Sequence, residues 1–182
     1  MYFDCTIAGF GGQGVMLMGN ILVYAAMEEK KKVTYMPVYG VEMRGGTANC
    51  TVVISDKNIG SPVTQWPESA IIMNQPSLEK FGPRVKKGGL LVINSTLVSD
   101  EGMNFKGVEC LRVPTRDLAL EIGNDRLTNM VILGATAQRC GAVKIKSMTK
   151  ALYSALDKRY HNMIDINTQA IERGAEYAAT GK

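Results

Sequence analysis

A glycine-rich segment near the amino terminus carries the residues best suited to binding chemistry. The stretch GFGGQGVMLMGN, residues 9–20, follows a short apolar run and precedes an apolar, helix-like stretch. Three of its glycines fit the spacing G-x-G-x-x-G, which between a strand and a helix is typical of dinucleotide-binding loops. Glycine permits a tight turn and close backbone approach, and the amides that begin the following helix favour an anion. The candidate cofactor-binding residues are Gly9, Gly11, Gly12, Gln13 and Gly14.

Three interpretations of this glycine segment stay open at the level of sequence. It can form a tight turn that binds nothing, contact a phosphate or another anion, or form an NAD site. An NAD site calls for an acidic residue about 20 positions further on, at the end of the second strand. The corresponding stretch VTYMPVYG contains no acid, and Glu28 and Glu29 precede the strand. The sequence therefore disfavours NAD.

A second candidate segment is YGVEMRGG, residues 39–46. In extended backbone Glu42 and Arg44 project to the same side, and Gly45 and Gly46 allow a sharp turn after them. In one interpretation, Glu42 and Arg44 form a local ion pair that only stiffens the segment. Alternatively, the planar guanidinium of Arg44 meets an anionic group or a partner chain.

No catalytic residue and no metal site are predicted. His161 is the single histidine and has no serine or cysteine at a diagnostic spacing. Cys5, Cys50, Cys110 and Cys140 are far apart and form no CxxC pair, so we expect reduced thiols rather than metal or cluster ligands.

The order of apolar runs and turn residues predicts the fold class. Strand-like and helix-like segments alternate along the first 123 residues, and the chain is mainly helical from Asn124 onward. Alternation of this kind is typical of an α/β fold, here Rossmann-like with a mostly parallel sheet flanked by helices and a helical C-terminal region. We expect the second strand to stop at Pro37, and Thr115 to cap a helix. Residues 1–182 are predicted to form one domain.

Composition restricts the functional classes. The chain has 182 residues, of which 46% are hydrophobic and 21% charged, with a net charge of +4. These values are ordinary for a globular protein, and the basic residues form no face that would indicate nucleic-acid binding. The apolar stretch 15–27 is shorter than the roughly 20 residues that a membrane span needs. We therefore expect a cytoplasmic protein without a membrane or nucleic-acid partner.

Five ordered motifs give the chain a family resemblance. They are GFGGQGV, YGVEMRGGTANCTVVIS, MNQPSLEKF, KKGGLLVINST and NMVILGA. Together they resemble the gamma subunit of the 2-oxoacid:acceptor oxidoreductases, which use thiamine diphosphate and include the pyruvate, 2-oxoglutarate, 2-oxoisovalerate and indolepyruvate ferredoxin oxidoreductases. The similarity is greatest to the separate gamma chain that acts on 2-oxoglutarate.

The resemblance implies a share in the conversion of 2-oxoglutarate and coenzyme A to succinyl coenzyme A and carbon dioxide. Electrons would leave to ferredoxin or flavodoxin. Alpha, beta and delta subunits of a heterotetramer would bind thiamine diphosphate, magnesium and iron-sulfur clusters, and this chain would bind no cofactor alone. Activation of the thiamine ring is not assigned to Glu42, because another subunit has that role in the family. The residues expected to face coenzyme A or a partner are Tyr39, Glu42, Arg44, Gly45 and Gly46.

Other functions remain as alternatives. One is a self-sufficient dinucleotide-binding oxidoreductase, and another is a gamma subunit for pyruvate, 2-oxoisovalerate or indolepyruvate. A third is a scaffold that uses the fold without catalysis. Pattern alone supports the α/β class, whereas the reaction is implied only by the resemblance.

Overall fold

A mixed β-sheet occupies the centre of the protein. The computed structural model describes residues 1–39 and 47–181, apart from the side chain of Tyr39. Within these residues the strands are β1 (Tyr2–Phe10), β2 (Lys32–Tyr39), β3 (Thr47–Ser55), β4 (Ser69–Ile72), β5 (Leu90–Asn94) and β6 (Glu109–Val113). The helices are α1 (Val15–Glu28), α2 (Gln75–Phe81), α3 (Thr115–Glu121), α4 (Thr128–Cys140), α5 (Ile145–Ala155) and α6 (Ile164–Thr180).

The strand order is β2-β3-β1-β4-β5-β6. The pairs β1–β4, β4–β5 and β5–β6 are parallel, whereas β3 is antiparallel to both β1 and β2. The predicted α/β class, mostly parallel sheet and helical C-terminal region are confirmed. The sequence did not indicate that β3 lies between β1 and β2, because a strand buried on both faces has the same apolar pattern in either direction.

The second strand continues through Pro37 and does not stop there as predicted. Pro37 pairs in register with Cys50, and β2 extends to Tyr39. Proline is tolerated because β2 is an edge strand, where an amide that points away from the sheet is not needed for pairing.

Helices cover the sheet unequally. Cys5 and Ile7 of β1 face a large core cluster to which α1, α3, α4, α5 and α6 contribute. Ala8 points to the other face, where Leu78 of α2 belongs to a smaller cluster. Since α1 and α2 lie on opposite faces, the fold is doubly wound. In the described part of the chain, no helix has both the length and the apolar character needed to cross a bilayer.

Helices α4 and α6 pack in close backbone contact within the larger core cluster. A β-carbon on Gly134 would lie 1.9 Å from the carbonyl oxygen of Ile171, and one on Gly174 would lie 1.9 Å from that of Val131. The obstacle in each case is backbone, which cannot rotate away. The two helices therefore cross at a distance that only glycine allows.

Replacing Gly134 with alanine should force α4 and α6 apart. Because the new methyl group would overlap the backbone of Ile171, we expect Gly134→Ala to lower the free energy of unfolding by about 2–3 kcal/mol, measured in urea. Gly60→Ala is the control, because a β-carbon there meets nothing within 4 Å. A Gly134→Ala protein as stable as Gly60→Ala would contradict the packing described.

Candidate functional site

The chain leaves β1 and β4 in opposite directions at their carboxyl ends. After β1 it passes through α1 to β2 on one side, and after β4 it passes through α2 to β5 on the other. In open α/β sheets this divergence leaves a crevice outside the strand ends, where ligands bind. The glycine segment begins at this point.

The glycines of this segment have different roles. Gly9 lies within β1, and a β-carbon on it would be 2.6 Å from Oε1 of Gln13 and 2.8 Å from the β-carbon of Met73. Gly9 is therefore required for packing between β1 and β4. Gly11 and Gly12 form an exposed turn, and the φ angle of 100° at Gly12 is one that favours glycine.

Gln13 is held by the backbone of both central strands. Its Oε1 accepts a hydrogen bond from the amide of Phe10 at 2.7 Å, and its Nε2 donates to the carbonyl of Met73 at 3.0 Å. These bonds connect the end of β1 with the end of β4.

Gly14 brings the amino ends of two long helices together. It has φ 75° and is the N-cap of α1, and a β-carbon on it would lie 2.2 Å from Nδ2 of Asn129 in the first turn of α4. The start of α1 is also bonded to β3, because the thiol of Cys50 donates a hydrogen bond to the carbonyl of Val15 at 3.6 Å. Burial raises the pKa of Cys50 to about 12, so it remains a protonated donor. Each helix start carries a partial positive charge of about one half.

A cleft of about 830 Å³ opens beside these two helix starts. This is within the size range of small-molecule sites. Its wall includes Gly12, Gln13 and Gly14 from the glycine segment, with Asn94 and Thr115 on the facing side.

Buried hydrogen bonds order the facing wall. The hydroxyl of Thr115 donates to Oδ1 of Asn94 at 2.7 Å, and both residues are buried. The amide of Thr96 donates to the same oxygen at 3.2 Å, while the Thr96 hydroxyl accepts from the amide of Arg116 at 3.1 Å. Thr115 was predicted to be an N-cap, but Pro114 has that position and Thr115 is the first residue of α3. That prediction is wrong, because a stronger partner in β5 takes the hydroxyl.

Charge in the cleft favours an anion. Arg116, Asp125 and Arg126 line it. In residues 1–39 and 47–181, no carboxylate forms an ion pair with either arginine. The two guanidinium groups therefore keep their donors for a ligand, with Asp125 as the one negative side chain among the described residues that line the cleft.

The opposite edge of the sheet provides a contrast. A cleft of about 380 Å³ there is also lined by charged residues. Its lysine and arginine are neutralised, because Lys86 pairs with Glu68 and Arg139 pairs with Glu109. The cleft at the carboxyl edge thus has two arginines outside any ion pair of the described residues, whereas both cations of the smaller cleft are paired.

The second predicted segment has its two ends at the carboxyl edge. Tyr39 ends β2 opposite Ala48, and Thr47 pairs with Phe10 at the start of the glycine turn. Glu42, Arg44, Gly45 and Gly46 lie outside the described residues. Their assignment to coenzyme A or to a partner stays a prediction.

Sequence reasoning missed the far wall of the cleft. The polar cleft residues that it did not single out include Asn94, Thr96, Arg116, Arg126 and Asn129. The signal that could have found some of them is the polar stretch NST directly after the apolar run of β5, since polar residues at the carboxyl ends of parallel strands meet at one edge.

The fold and site define a doubly wound α/β domain with a polar cleft beside its switch point. The model of the pyruvate ferredoxin/flavodoxin oxidoreductase family matches residues 4–177. The chain belongs to this family.

Relatives differ in length and in the 2-oxoacid of their names. The chain is 38% identical to ketoisovalerate oxidoreductase subunit VorA of Methanothermobacter thermautotrophicus, covering 94% of this chain but 35% of VorA. It is thus about a third of the length of that relative. It is 33% identical to 2-oxoglutarate synthase subunit KorC of Methanocaldococcus jannaschii, covering 96% of this chain and 93% of KorC.

Solved structures share the fold. The gamma subunit of a keto/oxoacid ferredoxin oxidoreductase from Geobacter sulfurreducens superposes with a TM-score of 0.81 and 26% identity, over 97% of this chain and 98% of that one. A 2-oxoglutarate:ferredoxin oxidoreductase from Magnetococcus marinus, with 2-oxoglutarate, coenzyme A and succinyl-CoA bound, gives a TM-score of 0.86 at 21% identity, over 98% of this chain and 31% of that one.

Removing the Thr115 hydroxyl should weaken the ordered wall. Thr115→Val keeps the shape but takes one of two donors from the buried Asn94 oxygen, so we expect the free energy of unfolding to fall by about 1–2 kcal/mol. Thr149→Val is the matched control, because that hydroxyl bonds a carbonyl at the surface. Equal stabilities of the two variants in urea would show that the buried bond adds nothing.

Proposed function

We propose that the chain is the gamma-type subunit of a 2-oxoacid:ferredoxin oxidoreductase and binds coenzyme A in the cleft at its carboxyl edge. The observation that carries the proposal is the convergence on one cleft of two helix N-termini and two arginines that form no ion pair within residues 1–39 and 47–181. Coenzyme A carries a pyrophosphate and a 3′-phosphate. Helix N-termini and arginines are the protein groups that suit phosphate oxygens.

The role proposed for this chain is binding and orientation. Gly12 and Gly14 would offer backbone amides to phosphate oxygens, as would the start of α4, where Oδ1 of Asn129 already accepts the amide of Met130. Arg116 and Arg126 would supply charged hydrogen bonds. Neither contribution moves a proton. The chemistry of decarboxylation, with thiamine diphosphate, magnesium and iron-sulfur clusters, is proposed for alpha, beta and delta subunits, so this chain is inactive alone.

The rim of the cleft suits contact with another subunit. Leu97 and Tyr160 line the cleft and are 60% and 48% exposed. Apolar and aromatic side chains beside a polar cavity are common in protein interfaces. A ligand held here would then lie between this chain and the subunit that owns the reacting centre. Ferredoxin or flavodoxin is the proposed electron acceptor of the whole complex, which we place in the cytoplasm.

2-Oxoglutarate is the proposed 2-oxoacid. Support comes from the extent of the alignment, because KorC of M. jannaschii aligns over 96% of this chain and 93% of its own, whereas VorA aligns over 35% of its own chain. Separate subunits of this size are named for 2-oxoglutarate and also for pyruvate and ketoisovalerate, but the common gamma subunit named for the latter two aligns over only 79% of this chain. Relatives named for pyruvate and ketoisovalerate are also about 33% identical, so sequence identity does not distinguish the 2-oxoacids. Activity of the assembled complex with each 2-oxoacid decides which one is the substrate.

Loss of either arginine should weaken coenzyme A binding in the assembled oxidoreductase. A charged hydrogen bond contributes about 1.5–3 kcal/mol, so Arg116→Ala and Arg126→Ala should each raise KM for coenzyme A by about ten- to a hundredfold. KM for the 2-oxoacid should not change. The assay compares 2-oxoglutarate, pyruvate and 2-oxoisovalerate on the complex that copurifies with the tagged chain.

Arg84→Ala is the control for charge, since Arg84 is exposed and follows α2 on the other face of the sheet. If KM for coenzyme A is the same in Arg116→Ala, Arg126→Ala and Arg84→Ala, the cleft does not hold coenzyme A. If the tagged chain copurifies with no other subunit, the assignment as a subunit is wrong.

A further inference from the structure

We propose that Gln13 is a positioning residue: its amide closes the crevice between β1 and β4 and directs the anionic ligand to the cleft beside α4. This inference rests on the proposed function and concerns how the same cleft is built. The glycine segment resembles a dinucleotide-binding loop, yet the side chain that follows Gly12 occupies the place where such a loop would leave an opening.

The geometry of the amide supports this role. Oε1 takes the amide hydrogen of Phe10 at the end of β1, and Nε2 donates to the carbonyl of Met73 just after β4. Both backbone groups face the switch point, where the Phe10 amide would otherwise be free to donate to a phosphate oxygen and the Met73 carbonyl would need water as a donor. With Gln13 in place, each is paired inside the protein.

Packing holds the amide in this position. The absence of a side chain at Gly9 leaves the space that Oε1 fills, since a β-carbon there would lie 2.6 Å from that oxygen. Met73 is buried and fixed to β1, because its own amide donates to the carbonyl of Ala8 at 2.9 Å. Gln13 is thus clamped between two strands that are themselves hydrogen-bonded.

Because the crevice between β1 and β4 is closed, the space left for a ligand lies beside α4. The turn bond from the Gln13 amide to the Phe10 carbonyl, at 3.2 Å, fixes the direction in which Gly14 enters α1. The start of α1 is thereby set against Asn129 of α4, and the open space lies on that side. An anion would therefore find its donors at Gly14, at the start of α4 and at the two arginines of the cleft.

The test separates positioning from simple stability. Gln13→Met keeps the length of the side chain and removes both hydrogen bonds, and Gln13→Glu keeps the acceptor for Phe10 but puts a carboxylate oxygen against the Met73 carbonyl. In the assembled oxidoreductase both variants should raise KM for coenzyme A by about tenfold. The kcat at saturating coenzyme A and the KM for the 2-oxoacid should stay within twofold.

Gln138→Met is the matched control, because Gln138 is exposed near the far end of α4. If KM for coenzyme A in Gln13→Met and Gln13→Glu equals that of the control, Gln13 has no positioning role, even where Arg116→Ala and Arg126→Ala raise it. If the Gln13 variants raise KM while the arginine variants do not, the ligand is not directed to the arginine-lined cleft, and the inference is overturned. A fall in kcat with unchanged KM would also overturn the inference.

Discussion

The departure of the chain from β1 and β4 in opposite directions is the constraint on which the site depends. Parallel strands place their carboxyl ends at one edge, and the helices that follow them start there with unsatisfied amides. In this protein α1 follows β1 directly, whereas α4 returns to the same edge much later in the chain. The meeting of Gly14 with Asn129 is the point at which these two helix starts touch.

Close approach of backbone is a recurring requirement of this fold. Gly9 allows β1 and β4 to be joined by the amide of Gln13, and Gly134 and Gly174 allow α4 and α6 to cross in contact. The α4–α6 contact supports the helix whose amino end borders the cleft. Packing in the helical C-terminal region therefore supports the site through α4, although no residue of α6 lines the cleft.

The sequence predicted the features that depend on neighbouring residues, namely the turn into α1 and the class of the fold. Glycines followed by an apolar run indicated the turn into α1, and the alternation of elements indicated the α/β class. The roles of individual residues depended on partners far along the chain: Gln13 bonds Met73, 60 positions away, and Thr115 bonds Asn94, 21 positions away. Neither pairing leaves a periodic signal. For the same reason no sequence pattern singled out Arg116 or Arg126, which reach the cleft only through the strand order.

Hydrogen–deuterium exchange on the assembled oxidoreductase, with and without coenzyme A, tests the central claim most directly. The account predicts slower exchange of the amides in residues 11–17 and 128–131, which begin α1 and α4, and no change in residues 86–89 at the opposite edge. Slower exchange confined to residues 86–89, or no slowing at either helix start, would contradict it.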